Sequence, residues 1–293
     1  MRLLVLSDLH LSPGGKPPAF ERLSAYTVDD VEGVMLLGDV IDKTDENSID
    51  LGREVIAGFA DAGLPVLSVP GNHDHLPDHR RLVSGIDGAR LLHGTAITLV
   101  DRGAEPVNEG ADDSLRIVGW GCEEFDQRPA VSPPWDTEPE SAPVSPARID
   151  AFVDTLAAHI QGDAPLESVE ESLGIADPAG FGRGIKRLLE RHRPIASALS
   201  VDGPLLVGTH VPPFGTGLDV SRGAGDSHRG SVALRLALEE RSPIAVCCGH
   251  FHREEYDLLD GTHLLNPGYR GGAVVEVDPR TAGFSYDPIS LSE

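Results

Sequence analysis

Five short apolar runs in this chain are each followed at once by Asp, Asn or His, and this recurrence constrains the fold most strongly. The central run, Leu64-Pro65-Val66-Leu67-Ser68-Val69, leads directly into Pro70-Gly71-Asn72-His73-Asp74. The other four runs lead into residues 7–10, 38–42, 208–210 and 249–252. Such runs indicate buried strands, and open α/β sheets place their sites at the carboxyl ends of strands. A single polar turn is common between elements, but packing does not explain five, so the pattern predicts one polar site at a sheet edge.

The chain has 293 residues, enough to bury the core of one large α/β domain with or without an inserted subdomain. Its apolar runs are all shorter than the roughly 18 residues that a membrane span needs. The apolar start over residues 2–6 is stopped by Asp8 and His10 without a small-residue cleavage site, so we interpret it as the first strand and not as a signal peptide. No C-x-x-C spacing relates the three cysteines, which favours a cytoplasmic protein without a disulfide framework; they are Cys122, Cys247 and Cys248.

The composition is strongly acidic, because 24 Lys and Arg residues against 47 Asp and Glu residues leave a net charge of −23. Lysine is scarce and occurs only as Lys16, Lys43 and Lys186. This composition predicts adaptation to high salt, where the Debye length is about 3 Å at 1 M, although an acidic protein from ordinary salt has the same signature. The acidity argues against a nucleic-acid partner, which usually needs a basic surface, but molar salt weakens that argument.

The spacing of apolar residues predicts βαβ alternation up to residue 70, with parallel strands and right-handed crossovers. Residues 89–93 and 96–100 flank Gly94-Thr95 and predict a β-hairpin. Helical spacing predicts helices over residues 47–62, 147–160, 180–192 and 231–241. Short antiparallel strands are predicted over residues 254–259, 262–265, 272–277 and 283–286.

Taken together, the five polar blocks resemble the calcineurin-like metallophosphoesterases, whose pattern is D-x-H, G-D-x-x-D, G-N-H-D/E, a lone His and G-H-x-H in that order. The blocks run here from Asp8 to His252, so the resemblance covers most of the chain. It implies a four-layer α/β/β/α sandwich of two mixed β-sheets, with a site at the strand ends. It also implies two metal ions about 3.5–4 Å apart, the usual spacing in two-metal hydrolases.

The resemblance assigns a role to each polar residue of the blocks. A first metal ion would be bound by Asp8, His10 and His252. A second would be bound by Asn72, His210 and His250. Asp39 would bridge the two ions, because each carboxylate oxygen can serve one cation and its charge offsets their repulsion. Oxygen and nitrogen ligands without Cys suit Mn²⁺, the predicted metal, and also Fe, Zn²⁺ or Ni²⁺.

The same resemblance implies hydrolysis of a phosphoester by a hydroxide held between the metals. His73 matches the general acid that protonates the leaving alkoxide, and Asp42 matches the carboxylate that orients this imidazole. Asn266-Pro267-Gly268-Tyr269-Arg270 resembles the N-P-G-S turn of bacterial and archaeal members, with Tyr in place of Ser. Tyr269, Arg270 and, from a Gly-rich stretch, Arg222 and Arg229 are therefore candidate substrate contacts.

The substrate is predicted from departures from the family pattern. Protein phosphatases of the family carry Arg before G-N-H-E and Arg-Gly after G-D-x-x-D, whereas this chain has Pro70 and Lys43-Thr44 there. This difference favours a small-molecule or nucleotide phosphodiester over a phosphoprotein, and a phosphodiesterase over a phosphomonoesterase. A DNA repair-type nuclease and a metal-binding regulatory or non-catalytic subunit are the alternatives. The nuclease is not favoured, because neither a basic surface nor an attached capping region is evident.

Compact members of the family have less chain before the lone His, so residues 123–194 are interpreted as an insertion. Residues 1–122 and 195–293 would then form the metallophosphoesterase domain. The insertion begins with a proline-rich acidic segment over residues 128–139. It is compatible with a lid or cap over the site and equally with a surface appendage or an oligomer contact. The oligomeric state stays open.

Overall fold

A computed structural model of the protein describes residues 1–15, 18–25, 30–100, 114–122, 130–137, 144–221 and 227–292. The helices are α1 (Glu46–Asp61), α2 (Leu76–Val83), α3 (Pro146–Gln161), α4 (Leu166–Leu173), α5 (Pro178–Leu199) and α6 (Val232–Glu240). Short 3-10 helices cover Phe20–Ala25, Pro134–Thr137 and Gly217–Asp219. The strands are β1 (Arg2–Ser7), β2 (Gly33–Leu37), β3 (Val66–Val69), β4 (Ala89–Leu91), β5 (Thr95–Val100), β6 (Ser114–Trp120), β7 (Leu205–Thr209), β8 (Val220–Ser221), β9 (Ser227–His228), β10 (Ala245–Cys247), β11 (Glu254–Leu259), β12 (Thr262–Pro267), β13 (Gly271–Asp278) and β14 (Gly283–Ser290).

The strands form two mixed sheets of six strands each. The first has the order β14-β13-β1-β2-β3-β4, with β1 to β4 parallel and β13 and β14 antiparallel at one edge. The second has the order β11-β12-β10-β7-β6-β5, with the four inner strands parallel and the two edge strands antiparallel. β8 and β9 pair separately as a small hairpin.

Alternating side chains on each strand bury two different hydrophobic clusters, as the period of a strand requires. On β1, Leu3 and Val5 face the cluster between the two sheets, where they meet residues such as Leu206 of β7. Leu4 and Leu6 face the opposite cluster, which α1 and α2 cover. A third cluster lies between the second sheet and helices α3 to α6. This arrangement confirms the predicted four-layer α/β/β/α sandwich.

Local capping explains where the helices begin and end. The side chain of Asp45 accepts a hydrogen bond from the Ser48 amide at 3.0 Å and so starts α1 at Glu46. α3 ends at Gln161 and is capped by Gly162, whose φ of 86° is the left-handed conformation that glycine adopts without strain. The predicted helices lie within about two residues of α1 and α3 at both ends, which is the usual uncertainty of such boundaries.

The predicted hairpin over residues 89–100 is wrong. β4 pairs with β3 in the first sheet, whereas β5 pairs with β6 in the second. The backbone amide of Leu92 still donates to Ser68 in the first sheet, and that of Gly94 donates to Gly119 in the second. The turn signal at Gly94-Thr95 therefore marks a crossing between sheets.

The described residues between 123 and 194 pack onto the outer face of the second sheet. Trp135, Phe152 and Leu188 are buried in one cluster with Val118 of β6 and Val207 of β7. α5 continues through Pro194, so a helix crosses the predicted boundary at 194/195. These helices form the outer layer of the sandwich; the division into domain and insertion, and a role as lid, stay predictions.

Among the described helices, none has both the length and the apolar character that crossing a bilayer requires.

Candidate metal centre

The side chains predicted to bind metal meet at the carboxyl ends of five parallel strands, three from the first sheet and two from the second. The first sheet contributes the residues that follow β1, β2 and β3, which are Asp8, His10, Asp39 and Asn72. The second sheet contributes the residues that follow β7 and β10, which are His210, His250 and His252. The site therefore lies where the ends of both sheets face each other.

One half of the site is formed by Asp8, His10 and His252. His10 Nε2 lies 3.1 Å from His252 Nε2, and His252 Nε2 lies 3.5 Å from Asp8 Oδ1. Together with Asp39, these residues form a group whose ligand atoms all lie within 4.8 Å of one another. Two imidazole nitrogens and two carboxylates converging on one point provide the nitrogen and oxygen ligands that a divalent transition metal takes.

The other half is centred on the amide oxygen of Asn72. Asn72 Oδ1 lies 2.8 Å from His210 Nε2 and 2.8 Å from His250 Nδ1, so both imidazoles donate to it. His210 Nδ1 donates to the Leu37 carbonyl oxygen at 2.8 Å. This hydrogen bond fixes the imidazole ring with Nε2 pointing into the site. A metal-binding His is commonly oriented in this way, through a hydrogen bond donated by its other ring nitrogen.

Asp39 connects the two halves. Its Oδ2 atom lies 3.6 Å from His10 Nε2 and 3.4 Å from His210 Nε2. Its Oδ1 atom accepts a hydrogen bond from the His73 amide at 2.8 Å, which fixes the carboxylate from the other side. A single buried carboxylate oxygen thus faces one histidine from each half.

The backbone around the site adopts conformations that side chains disfavour. Positive φ angles of 45° to 75° occur at Asp8, His10, Asp39, His250 and His252. Such left-handed residues are uncommon outside glycine and tend to cluster at functional sites, where surrounding contacts maintain them.

Two glycines in the motifs are explained by close approach. A Cβ atom at Gly71 would lie 2.1 Å from Asp39 Oδ1, and one at Gly38 would lie 2.6 Å from His210 Nδ1. Gly38 also has a φ of 85°. Any side chain at either position would displace a residue of the site.

The electrostatics of the site depend on the balance between burial and the carboxylates. Burial disfavours a charged His210, yet Asp39 and Asp8 outweigh this effect and raise its pKa to about 10. Burial, reinforced by the charge of His210, lowers the pKa of His250 to about 4. Burial also lowers the pKa of His10, whereas the hydrogen bond to Asp8 raises the pKa of His252. In the absence of metal, His210 is therefore positively charged and balances the negative charge of Asp39. This agrees with its hydrogen bonds, because both of its ring nitrogens face an oxygen that accepts, Leu37 O and Asn72 Oδ1.

A third group joins His10, Asp42 and His73. His73 Nδ1 donates to the Asp42 carbonyl oxygen at 2.9 Å and lies 3.7 Å from Asp42 Oδ1. The same Oδ1 atom lies 3.2 Å from His10 Nδ1. The Asp42 carboxylate thus contacts both the predicted general acid and a predicted metal ligand. The side chain of His73 is 40% exposed.

The structure brings two of the four candidate substrate contacts to the site. The Tyr269 ring lies 5.6 Å from the His10 ring and 5.1 Å from the His252 ring, and the residue is 42% exposed. The Arg270 guanidinium lies 5.4 Å from the Tyr269 ring, and Arg270 Nε donates to the Leu9 carbonyl oxygen at 3.2 Å. Arg229 Nε instead donates to Ser227 Oγ at 3.0 Å, and Arg222 lies outside the described residues.

Two further features support the site. Asp74 and His79 are fully buried, and Asp74 Oδ1 accepts a hydrogen bond from the Asp39 amide at 3.1 Å. Asn266 Nδ2 donates to the Gly249 carbonyl oxygen at 2.8 Å, so the turn before Tyr269 supports the loop that carries His250. The signal for Asn266 was the N-P-G turn, and the signal for Asp74 was its place at the end of the G-N-H-D block, although the resemblance gave it no role as a metal ligand.

Comparison with known proteins agrees with this geometry. The family model described as calcineurin-like phosphoesterase matches residues 1–254, and the chain belongs to this family. Members bind a dinuclear divalent metal centre and hydrolyse phosphoesters, and the Asp and His groups described above could bind metal. A search of curated proteins found no match.

Several solved structures share the fold. TT1561 from Thermus thermophilus has a TM-score of 0.51 and 14% identity, covering 99% of each chain. Phosphopantetheinyl hydrolase (PptH) from Mycobacterium tuberculosis has a TM-score of 0.51 and 18% identity, covering 91% of this chain and 89% of its own. GAP50, the anchor in the inner membrane complex of Plasmodium, has a TM-score of 0.53 and 11% identity, covering 100% and 85%. At these identities the likeness concerns the fold alone.

Proposed function

We propose that this protein is a metal-dependent phosphodiesterase that hydrolyses a small-molecule or nucleotide phosphodiester. The observation that carries the proposal is the position of Asp39 Oδ2, within 3.6 Å of a histidine nitrogen from each half of the site. A carboxylate in this position suits two cations, one on each side. Asp8, His10 and His252 would hold one ion, and Asn72, His210 and His250 the other.

When bound, the two divalent ions supply Lewis acidity to the phosphoryl group and to water. The chain orients the groups around them. Hydrogen bonds from His210 Nδ1 to Leu37 and from His10 Nδ1 to Asp42 direct the Nε2 atoms of both histidines inward. Because these partners accept only, each histidine presents an unprotonated Nε2 as a ligand in the loaded enzyme.

His73 acts as the general acid in this proposal. Its Nδ1 proton is committed to the Asp42 carbonyl oxygen, so Nε2 is the nitrogen that transfers a proton to the leaving alkoxide. The Asp42 carboxylate, 3.7 Å from Nδ1, stabilises the imidazolium before the transfer. The partial exposure of His73 allows it to be reprotonated from solvent between turnovers.

The charge of the chain supports a diester over a dianionic monoester or a nucleic acid. A net charge of −23 repels anions, and a small diester carries one negative charge where a monoester carries about two and a nucleic acid carries one on each of its many phosphates. Tyr269, beside His10 and His252, would contact the ester group on the side of the first metal. Arg270 lies against the Tyr269 ring and would hold it in place.

Hydrolysis of bis-p-nitrophenyl phosphate and of p-nitrophenyl phosphate, each with Mn²⁺ and in low and molar KCl, tests the proposal. We expect the diester to be cleaved with the higher kcat/KM, and Asp39→Asn to abolish this activity. Preference for the monoester would overturn the phosphodiesterase assignment and indicate a phosphomonoesterase. No activity in protein that holds two metals would favour a regulatory subunit.

A further inference from the structure

A fully buried carboxylate, Asp74, lies behind the site and accepts three backbone hydrogen bonds. Its Oδ1 atom accepts from the Asp39 amide at 3.1 Å and from the Gly71 amide at 2.7 Å. Its Oδ2 atom accepts from the Val40 amide at 2.7 Å. Asp74 therefore joins the loop after β2 to the loop after β3, and these loops carry Asp39 and Asn72.

These hydrogen bonds stabilise an unfavourable backbone conformation at Asp39. Asp39 has a φ of 50°, a conformation that non-glycine residues rarely adopt. In this conformation the consecutive amides of Asp39 and Val40 both point at the Asp74 carboxylate. The Asp39 side chain can then extend toward His10 and His210.

Asp74 is itself held from behind by two buried residues. His79 Nδ1 lies 3.4 Å from Asp74 Oδ1, and His79 Nε2 lies 2.7 Å from Ser68 Oγ. The contact between His79 Nδ1 and Asp74 is a close polar approach without hydrogen-bond geometry, whereas His79 Nε2 and the Ser68 hydroxyl lie at hydrogen-bond distance. His79 lies on α2 and Ser68 on β3, so the chain of contacts extends from the core to the site.

We infer that Asp74, supported by His79, is a positioning residue that sets the orientation of the Asp39 carboxylate for metal binding. This inference rests on the proposed function, because it assumes that Asp39 binds metal. Asp74 contacts none of the metal-facing side-chain atoms described above; it acts through the backbone amides on either side of them. Groups that orient metal ligands in this way typically contribute 10- to 100-fold to metal affinity.

Asp219 provides a matched control. It is fully buried, and its carboxylate also accepts three backbone hydrogen bonds, from Gly215, Thr216 and Gly230 at 3.0, 3.0 and 2.9 Å. A histidine again contacts it, with His228 Nδ1 at 2.6 Å from Oδ1. Asp74→Asn and Asp219→Asn each place a side-chain NH₂ group against a backbone N–H. Both variants therefore lose a buried hydrogen bond of the same kind and should lose stability in the same way.

The test compares Mn²⁺ affinity and stoichiometry by calorimetry in the wild type, Asp74→Asn and Asp219→Asn, with thermal midpoints measured alongside. We expect both variants to lose thermal stability, but only Asp74→Asn to lose about 10- to 100-fold in Mn²⁺ affinity. The visible spectrum of the Co²⁺-loaded protein should change in Asp74→Asn and not in Asp219→Asn, because it reports the coordination geometry.

Equal Mn²⁺ affinity in the two variants, whether both retained or both lost, would overturn the positioning role while leaving the proposed function intact. Failure of the wild type to bind Mn²⁺ would overturn the proposed function as well. If Asp74→Asn does not fold, His79→Gln takes its place, since it removes the support of Asp74 but none of the three backbone hydrogen bonds. A several-fold loss of Mn²⁺ affinity is then expected, and an unchanged affinity would overturn the inference.

Discussion

Asp39 Oδ2 lies 3.4 Å from His210 Nε2, although Asp39 follows a strand of the first sheet and His210 a strand of the second. Both side chains are almost completely buried. The pair exists only because the apolar cluster between the sheets aligns the ends of β2 and β7. Packing of the two sheets therefore places these two side chains of the site next to each other.

This pair predicts that Mn²⁺ affinity rises with pH. In the metal-free protein the pKa of His210 is raised to about 10, whereas metal binding needs its Nε2 unprotonated. Below that pKa the metal displaces one proton, so affinity should rise up to about tenfold per pH unit. His250, with a pKa lowered to about 4, is already neutral near pH 7 and adds no proton. Calorimetry in buffers of different ionisation enthalpy measures the released proton, and an affinity independent of pH would contradict the assignment.

Replacing the proposed general acid should affect turnover and spare the metals. His73→Asn is expected to lower kcat by about 10²- to 10⁴-fold on a diester with an alkoxide leaving group, because that group needs a proton. The loss should be much smaller on bis-p-nitrophenyl phosphate, whose leaving group is stable as an anion. Steady-state kinetics with both substrates, and metal analysis of the purified variant, provide the check. An equal loss on both substrates would argue that His73 has another role.

Gly71→Ala should damage the site through sterics alone. The added Cβ would lie 2.1 Å from Asp39 Oδ1 and 2.2 Å from Asp39 N, so the carboxylate must move. We expect roughly 1–3 kcal/mol of lost stability together with weaker Mn²⁺ binding. Gly58→Ala is the matched control, because Gly58 lies within α1 and its Cβ would meet nothing within 4 Å. Gly58→Ala should gain about 0.5–1 kcal/mol of stability. Thermal or urea unfolding measures the stability change in both variants. An Mn²⁺ affinity equal to that of the wild type in Gly71→Ala would show that the added methyl group does not displace the Asp39 carboxylate.

The three cysteines should be unreactive in the native protein. Cys122, Cys247 and Cys248 are buried and form no disulfide. Burial raises the pKa of Cys247 to about 12 and that of Cys248 well above its ordinary value, which removes the reactive thiolate. A thiol reagent such as dithionitrobenzoate should therefore detect three thiols only after denaturation. Rapid labelling of the native protein would contradict the buried placement of these three side chains.

Much of this fold was predictable because five strands, β1, β2, β3, β7 and β10, each end in a polar motif. The alternation of β1 and β2 with helical segments, and the polar residues at their carboxyl ends, are local patterns that one sequence displays. The hairpin at residues 89–100 failed because sheet membership depends on distant partners, β3 for β4 and β6 for β5. The prediction missed α4 because Val169 is its one fully buried residue, so its apolar pattern is weak.

The sequence predicted which residues form the site, but it did not predict the hydrogen bonds that hold these residues in place. Asp39 and His210 are 171 positions apart, and only the order of the motifs linked them in sequence. The hydrogen bond from the Asp39 amide to Asp74 spans 35 positions and involves backbone, which leaves no pattern in the sequence. The adaptation to high salt and the cytoplasmic location stay predictions, since they concern the surroundings of the protein.

The measurement that tests the two-metal site most directly is diffraction at the manganese absorption edge from crystals soaked in Mn²⁺. We predict two anomalous peaks on opposite sides of the Asp39 carboxylate. One peak should lie among Asp8, His10 and His252, and the other among Asn72, His210 and His250. A single peak, or peaks away from Asp39, would contradict the dinuclear site proposed for this protein.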